Sequence, residues 1–127
     1  MDTTLYERVG GERFFVELVD RFYIGVAGDP LLRPLYPDDL HESSRHLALF
    51  LMQYWGGPGT YGEERGHPRL RMRHVPFVIG LPERDAWLRH MLSAVSELET
   101  ASRISPVDAL ELRGYLEMAA NSLVNSA

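Results

Sequence analysis

Apolar residues recur at steps of three and four along most of this chain, and that spacing predicts helices. A short first helix begins with the capping pair Thr4 and Glu7 and ends at two glycines. A longer amphipathic helix follows and ends at Gly28. Its predicted inward positions are Phe14, Phe15, Leu18, Val19, Phe22, Tyr23 and Val26. The proline-rich segment LLRPLYPDD that comes next predicts a turn or a short helical corner.

The middle of the chain combines a third helix with a glycine-rich segment. This helix is predicted from Ser43 to Trp55. Its inward face carries Leu47, Phe50, Leu51 and Tyr54. Residues 56–68, GGPGTYGEERGHP, contain five glycines and two prolines, which predicts a loop. Loops of this length are usually functional or disordered. This one leads into a short basic helical segment, RLRMRHV, which Pro76 breaks.

Two further helices complete the pattern. Pro82 suits the first turn of a long helix, and Glu83 and Asp85 suit its positive end. The inward face of this helix carries Trp87, Leu88, Met91, Val95 and Leu98. Ser105 and Pro106 open a last helix. Its predicted stripe is Val107, Leu110, Leu116, Ala119, Ala120 and Leu123. No segment alternates with a period of two, so we predict an all-α fold and one domain over residues 1–127.

Composition and charge exclude several classes of function. The chain has no cysteine, which rules out disulfides, cysteine-based metal sites and thiol catalysis. Its formal charge of −5 argues against nucleic acid as a main partner. The first residues have neither the basic nor the apolar region of a secretory signal, and no apolar run approaches the roughly 20 residues of a membrane span. We therefore expect a cytoplasmic protein with no membrane span.

The five histidines are the obvious candidates for chemistry. There is no HExxH motif and no pair four residues apart on one helix, so a zinc site has little support. There is also no GxSxG motif of a serine hydrolase. His74 differs from the others because it lies on a short segment beside apolar Met72, Val75 and Phe77.

His74 suits iron ligation in a haem protein. An imidazole can bind haem iron through one nitrogen while the other donates to a carbonyl or carboxylate that fixes the ring. The nearby Arg71 and Arg73 suit pairing with the haem propionates, which need charged donors. From spacing alone, however, the simpler interpretation is a histidine at the edge of the core beside a solvated basic turn.

Three aromatic side chains could complete such a site. Tyr23, Tyr36 and Trp87 each carry an O–H or N–H group that needs a partner when buried. Converging on one cavity, they would suit a diatomic ligand with partial negative charge. From the residues alone, however, three ordinary core aromatics with satisfied polar groups are the simpler interpretation. His46 could face solvent, a propionate or the iron, and surface exposure is the simplest of these.

At these residues the sequence resembles the group II truncated haemoglobins. The stretch QYWGGPGTYGEERGHPRLRMRH carries the resemblance most strongly, joined by RFY, LYP and ERDAWL. The likeness extends from LYERVGG to MAANSLVNSA, which is nearly the whole chain. It implies a shortened globin fold in which two helix pairs stack around haem b.

The resemblance also implies a role for individual residues. His74 matches the proximal iron ligand, and Tyr23, Tyr36 and Trp87 match the polar donors on the distal side. The distal wall is matched by Leu47, Phe50 and Leu51. Ser43 occupies the position where ordinary globins often place a distal histidine. The remaining residues that we expect at the cofactor are His46, Arg71, Arg73 and Phe77.

Such a site would bind oxygen, nitric oxide and carbon monoxide. One hydrogen bond to a strongly polarised acceptor contributes about 1.5–3 kcal/mol, so several would slow oxygen release too far for bulk transport. Our leading hypothesis is redox detoxification, such as nitric oxide dioxygenation or peroxidase-like chemistry, supported by an unidentified reductase. The alternatives are an oxygen store, carrier or sensor, and a helical interaction module without cofactor. The family often forms homodimers.

Overall fold

The computed structural model describes residues 3–126, so residues 1, 2 and 127 of the predicted domain lie outside it. Within this range the chain forms α-helices and one 3₁₀ turn and has no strand, which confirms the all-α prediction. The helices are α1 (Leu5–Arg8), α2 (Glu12–Ala27), α3 (His41–Tyr54), α4 (Thr60–Arg65), α5 (Leu70–His74), α6 (Leu81–Thr100) and α7 (Pro106–Ser122). The 3₁₀ turn spans Arg33–Leu35. None of these helices is long and apolar enough to cross a membrane.

The core lies where α2 packs against both α3 and α6, and where α6 packs against α7. The inward face of α2 is buried as predicted. Its fully enclosed side chains are Phe14, Phe15, Leu18, Val19, Phe22 and Val26. On α6 the predicted positions Met91, Val95 and Leu98 are buried in the same core. The helix-period prediction therefore places the main core correctly.

Capping groups set the helix starts much as the sequence predicts. Thr4 Oγ1 accepts the N–H of Glu7 at 3.2 Å, which caps α1. The carboxylate of Glu83 accepts the N–H of Gly80 at 2.7 Å at the start of α6. Helix α3 begins two residues earlier than predicted, at His41, whose N–H donates to Asp39 Oδ1 at 2.9 Å.

Helices α2 and α6 approach each other closely at Gly25. A Cβ at this position would lie 2.4 Å from the Nδ1 atom of His90, so only glycine fits without rearrangement. The other nitrogen of His90 lies 2.7 Å from Oδ2 of the buried Asp29. Asp29 Oδ1 also accepts the N–H of Leu31 at 2.9 Å. These contacts fix the segment after α2, which carries Tyr36, relative to α6, which carries Trp87.

The prediction of a loop over residues 56–68 is wrong for its centre, which forms α4. Tyr61 is buried and its ring lies edge-on to Phe50, with 5.5 Å between centroids. The N–H of Gly62 donates to Gln53 Oε1 at 2.8 Å. These tertiary contacts with α3 stabilise a helix that the glycine content alone disfavours.

The predicted inward stripe of α7 is also partly wrong. Val107 and Leu110 are 75% and 72% exposed. The buried positions are instead Asp108, Ala109, Leu112, Leu116 and Ala120. The buried stripe of Ala109, Leu112 and Leu116 sets the orientation of α7. The same orientation brings Asp108 Oδ1 to Arg8 Nε, from which it accepts a hydrogen bond at 3.0 Å, and leaves Val107 and Leu110 facing solvent.

Candidate functional site

A cavity of about 410 Å³ lies between α2, the 3₁₀ segment and helices α3 to α7. This volume is in the range of small-molecule sites, roughly 300–1,000 Å³. Eleven of the twelve site residues predicted from the sequence line it. They are Tyr23, Tyr36, Ser43, His46, Leu47, Phe50, Leu51, Arg73, His74, Phe77 and Trp87. The structure therefore brings together residues that lie up to 64 positions apart in the chain.

His74 is the last residue of α5, and its ring is fixed by the backbone of the same helix. Its Nδ1 atom lies 2.6 Å from the carbonyl oxygen of Leu70. Because a carbonyl oxygen can only accept, Nδ1 carries a proton, and in the neutral ring the lone pair is then on Nε2. A neutral imidazole held in this tautomer is the form that ligates a metal ion.

Asn125 holds the segment that follows His74, and sequence reasoning missed it. Its Nδ2 donates to the carbonyl oxygens of His74 at 3.3 Å and Phe77 at 2.9 Å. Its Oδ1 accepts the N–H of Ile79 at 2.9 Å. No local pattern signals this role, because the contacts join parts of the chain that are 46 to 51 residues apart.

Three polar aromatic side chains meet at the cavity. The rings of Tyr23 and Tyr36 lie edge to face with 5.5 Å between centroids, and Trp87 packs at 5.4 Å against Phe22. Burial raises the pKa of Tyr36 to about 12, although hydrogen bonds with Tyr23 and Trp87 oppose the rise. Burial, followed by the effect of Tyr36, also raises the pKa of Tyr23. Both phenols therefore stay protonated at physiological pH and keep a proton to donate.

The apolar wall of the cavity comes mainly from Leu47, Phe50 and Leu51 on α3. Two further tyrosines line the cavity, Tyr61 on α4 and Tyr115 on α7. Neither was predicted, because Tyr61 lies in the glycine-rich segment and Tyr115 lies outside the stripe assigned to α7. Burial, with a smaller effect of Tyr54, raises the pKa of Tyr115 to about 12.

Arginines supply positive charge at the same cavity. Arg65 Nη1 lies 2.8 Å from Nδ1 of His46. A guanidinium only donates, so His46 accepts here and its ring is neutral. Burial, and next the charge of Arg65, lowers the pKa of His46. Arg84 also lines the cavity and donates to Asn121 Oδ1 at 2.8 Å.

The two arginines predicted beside His74 differ in position. Arg73 lines the cavity and is oriented by the carbonyls of Pro68 and Arg65, at 2.7 and 2.9 Å. Arg71 is exposed and does not line the cavity. Two residues apart on a helix point about 200° apart, so α5 presents only one of them to the site. We therefore exclude Arg71 from the residues proposed to contact the cofactor.

These features fit haem. The group needs an apolar slot, one free imidazole nitrogen for the iron, and cations near two carboxylates. The cavity offers His74, walls that are largely apolar, and the guanidinium groups of Arg65, Arg73 and Arg84. Within residues 3–126 no group of three or more His, Asp or Glu side chains could hold a free metal ion. A single histidine ligand suits a metal that brings its own equatorial ligands.

Comparisons with known proteins agree with this geometry. Residues 4–121 match the bacterial-like globin family. The group 2 truncated hemoglobin YjbI of Bacillus subtilis is 45% identical over 120 residues, which cover 94% of this chain and 87% of that protein.

Solved structures show the same likeness in three dimensions. The thermostable hemoglobin of Thermobifida fusca is 54% identical with a TM-score of 0.92, and the match covers 97% of this chain and 98% of that one. A truncated oxygen-avid haemoglobin from Bacillus subtilis is 43% identical with a TM-score of 0.89, covering 97% and 100%.

Proposed function

Because this chain belongs to the bacterial-like globins, and among them to the group II truncated haemoglobins, we propose that it holds haem b through His74 and converts nitric oxide and oxygen to nitrate. Family membership implies haem-based oxygen binding, and the particular reaction is our inference. One observation carries it: three hydrogen-bond donors, Tyr23, Tyr36 and Trp87, line the cavity that His74 enters.

The cofactor and the chain divide the chemistry between them. Haem iron, when bound, supplies reversible coordination of oxygen and exchange of single electrons. His74 Nε2 would hold the iron, and the Leu70 carbonyl fixes the imidazole ring. Arg65, Arg73 and Arg84 line the cavity and would neutralise the propionates. Leu47, Phe50 and Leu51 keep water from the reacting molecules, which strengthens every polar contact inside.

The donors favour retention of oxygen over its delivery. Each hydrogen bond to a strongly polarised acceptor contributes about 1.5–3 kcal/mol, which slows release by roughly 10- to 150-fold. Tyr23, Tyr36 and Trp87 together, even if imperfectly additive, hold oxygen long enough for nitric oxide to enter and react. The description of the Bacillus subtilis relative as oxygen-avid supports this view.

The proposed reaction joins one nitric oxide to one oxygen molecule and gives nitrate. The anion contains one electron more than the two reactants, and a haem held by His74 would supply that electron. A further turnover therefore requires one electron from an external donor.

Stopped-flow mixing of the oxygenated ferrous holoprotein with nitric oxide tests the proposal. We expect rapid conversion to the ferric spectrum with one nitrate per haem. Oxygen release, measured separately, should be much slower than this reaction. If the oxygenated protein releases oxygen quickly and forms no nitrate, the protein is an oxygen carrier, store or sensor.

A further inference from the structure

The surface around α5 exposes an unusual concentration of apolar side chains. Five of the twelve exposed large apolar residues in the described chain lie between residues 72 and 81. Four of them, Met72, Val75, Val78 and Leu81, are 65%, 69%, 70% and 53% exposed and do not line the cavity. A group bound in the cavity therefore leaves them exposed. Clusters of this kind, unlike single exposed residues, mark interaction sites.

The same region is strongly basic in an acidic protein. Residues 65–82 contain four arginines and no aspartate or glutamate, whereas the whole chain has a net charge of −5. Outside this segment the net charge is therefore −9. Arg69 and Arg71 are exposed, and neither forms an ion pair within residues 3–126. Arg69 precedes the first turn of α5 and has a left-handed conformation, so helix spacing does not set its direction relative to Arg71. We call Arg69, Arg71 and the four apolar residues the α5 surface.

The α5 surface is next to the proposed iron ligand. Val75 directly follows His74, and Asn125 ties the carbonyls of His74 and Phe77 to the end of the chain. A protein seated here would therefore bring its own redox group close to the haem. The proposed function needs such a donor, since each nitrate formed consumes one electron.

We propose that the α5 surface is the docking site of a small acidic electron-transfer protein that carries a flavin or an iron–sulfur cluster. The inference rests on the proposed function. The donor loses one electron and is oxidised, and the haem iron gains that electron and passes from ferric to ferrous. Electron-transfer complexes use small interfaces, under about 1,200 Å², so a surface of few residues, such as the α5 surface, suits one. The arginines steer an acidic partner towards it.

Charge argues against two other occupants. A second copy of this chain docked through the same surface would place Arg69 and Arg71 against the same arginines. An anionic bilayer is disfavoured by the net charge of −5, and α5, with five residues, is too short to lie in a bilayer interface as an amphipathic helix. An acidic protein would be attracted by Arg69 and Arg71 and would not require a long amphipathic helix.

Calorimetric titration of the ferric holoprotein with a flavodoxin and with a plant-type [2Fe–2S] ferredoxin tests the proposal at low ionic strength. Arg69→Glu/Arg71→Glu should weaken binding at least tenfold. The control Arg13→Glu/Arg21→Glu changes the net charge equally but on α2, and should retain most of the affinity. Val75→Ser/Val78→Ser, which alters no charge and no buried residue, should also weaken binding. Dithionite should reduce all variants as it reduces the wild type.

The proposal is overturned if neither protein binds, or if the α5 and α2 double variants lose affinity equally. Binding to phosphatidylserine vesicles that depends on Arg69 and Arg71 would assign the surface to a membrane. A dimer in sedimentation that Val75→Ser/Val78→Ser dissolves would assign it to a second copy. Nitrate formation by dithionite-reduced protein is measured independently, so failure of the proposed function is distinguishable from failure of docking.

Discussion

At the scale of single residues, the donors of the cavity differ in how they respond to pH. Trp87 has an indole N–H that only donates, and its donation does not depend on pH. Tyr36 keeps its proton because its pKa is raised to about 12 by burial. His46, in contrast, has a pKa lowered by burial and by Arg65, and accepts a hydrogen bond. Oxygen retention should therefore rest on Trp87 and the tyrosines across the physiological pH range.

Trp87→Phe tests this assignment directly. The substitution keeps an apolar ring but removes one donor, so oxygen release should become about 10- to 150-fold faster, which corresponds to 1.5–3 kcal/mol. Stopped-flow replacement of oxygen by carbon monoxide measures the rate. Trp55→Phe is the matched control, because Trp55 lies outside the cavity and its buried Nε1 has no partner within the described residues. Equal rates in all three proteins would remove Trp87 from the site.

Asp29 provides a pH-dependent contribution to stability. Its pKa is lowered chiefly by the hydrogen bond from His90, and then by the N–H of Leu31. A carboxylate with a depressed pKa stabilises the fold above its ordinary pKa, and this stabilisation is lost as the pH falls through the lower folded value.

Asp29→Asn should therefore unfold more easily than the wild type near neutral pH, and the difference should shrink below about pH 4, where the unfolded carboxyl is protonated. Urea unfolding of both proteins between neutral and acidic pH measures it. A difference in the free energy of unfolding that stays constant with pH would contradict the role of the carboxylate.

At the scale of elements, α5 is the helix that depends most on its surroundings. With five residues it is far too short to be stable alone. Hydrogen bonds from Arg73 to the carbonyls of Pro68 and Arg65 hold its preceding segment, and Asn125 holds the segment that follows it. The orientation of His74, the proposed iron ligand, therefore depends on Asn125, which lies 51 residues further along the chain.

Asn125→Ala should loosen residues 74–79. It removes three side-chain hydrogen bonds, which lowers the free energy of local opening by about 1–3 kcal/mol. Hydrogen exchange at the Phe77 and Ile79 amides should accelerate about 5- to 150-fold. The control Asn121→Ala removes only a contact with Arg84. Unchanged hydrogen-exchange protection in Asn125→Ala would show that Asn125 does not hold the segment that follows α5.

Helix periodicity predicted α2, α3 and α6, although on α3 the assigned face is partly wrong, because Tyr54 is 51% exposed while Ala48 and Met52 are buried. The prediction failed where tertiary contacts determine whether a helix forms or which of its faces is buried. Helix α4 forms because Tyr61 packs against Phe50. This tertiary contact cannot be inferred from the glycine content of the segment. On α7 the buried face is Ala109, Leu112 and Leu116, and it also carries Asp108, whose partner Arg8 is 100 positions away in the chain.

At the scale of the whole molecule, the cavity is assembled from seven elements between residues 23 and 123. Residue types and spacing alone left His74 open to two interpretations. The resemblance to a known family identified eleven side chains that the structure places at the cavity. It gave no indication of Arg65, Arg84 or Asn125, whose positions depend on contacts between distant segments. Charge is also organised at this scale, since a basic segment that bears His74 interrupts an otherwise acidic surface.

The visible absorption spectrum of the purified protein, supplied with haem during expression, tests the central claim most directly. Wild type, His74→Ala and the control His67→Ala, whose histidine is exposed and outside the cavity, are compared in ferric, ferrous and carbon monoxide forms. We predict a Soret band of histidine-ligated haem in wild type and His67→Ala that is lost or altered in His74→Ala. An unchanged spectrum in His74→Ala, or no haem band in well-folded wild type, would contradict His74 as the ligand of a haem held in this cavity.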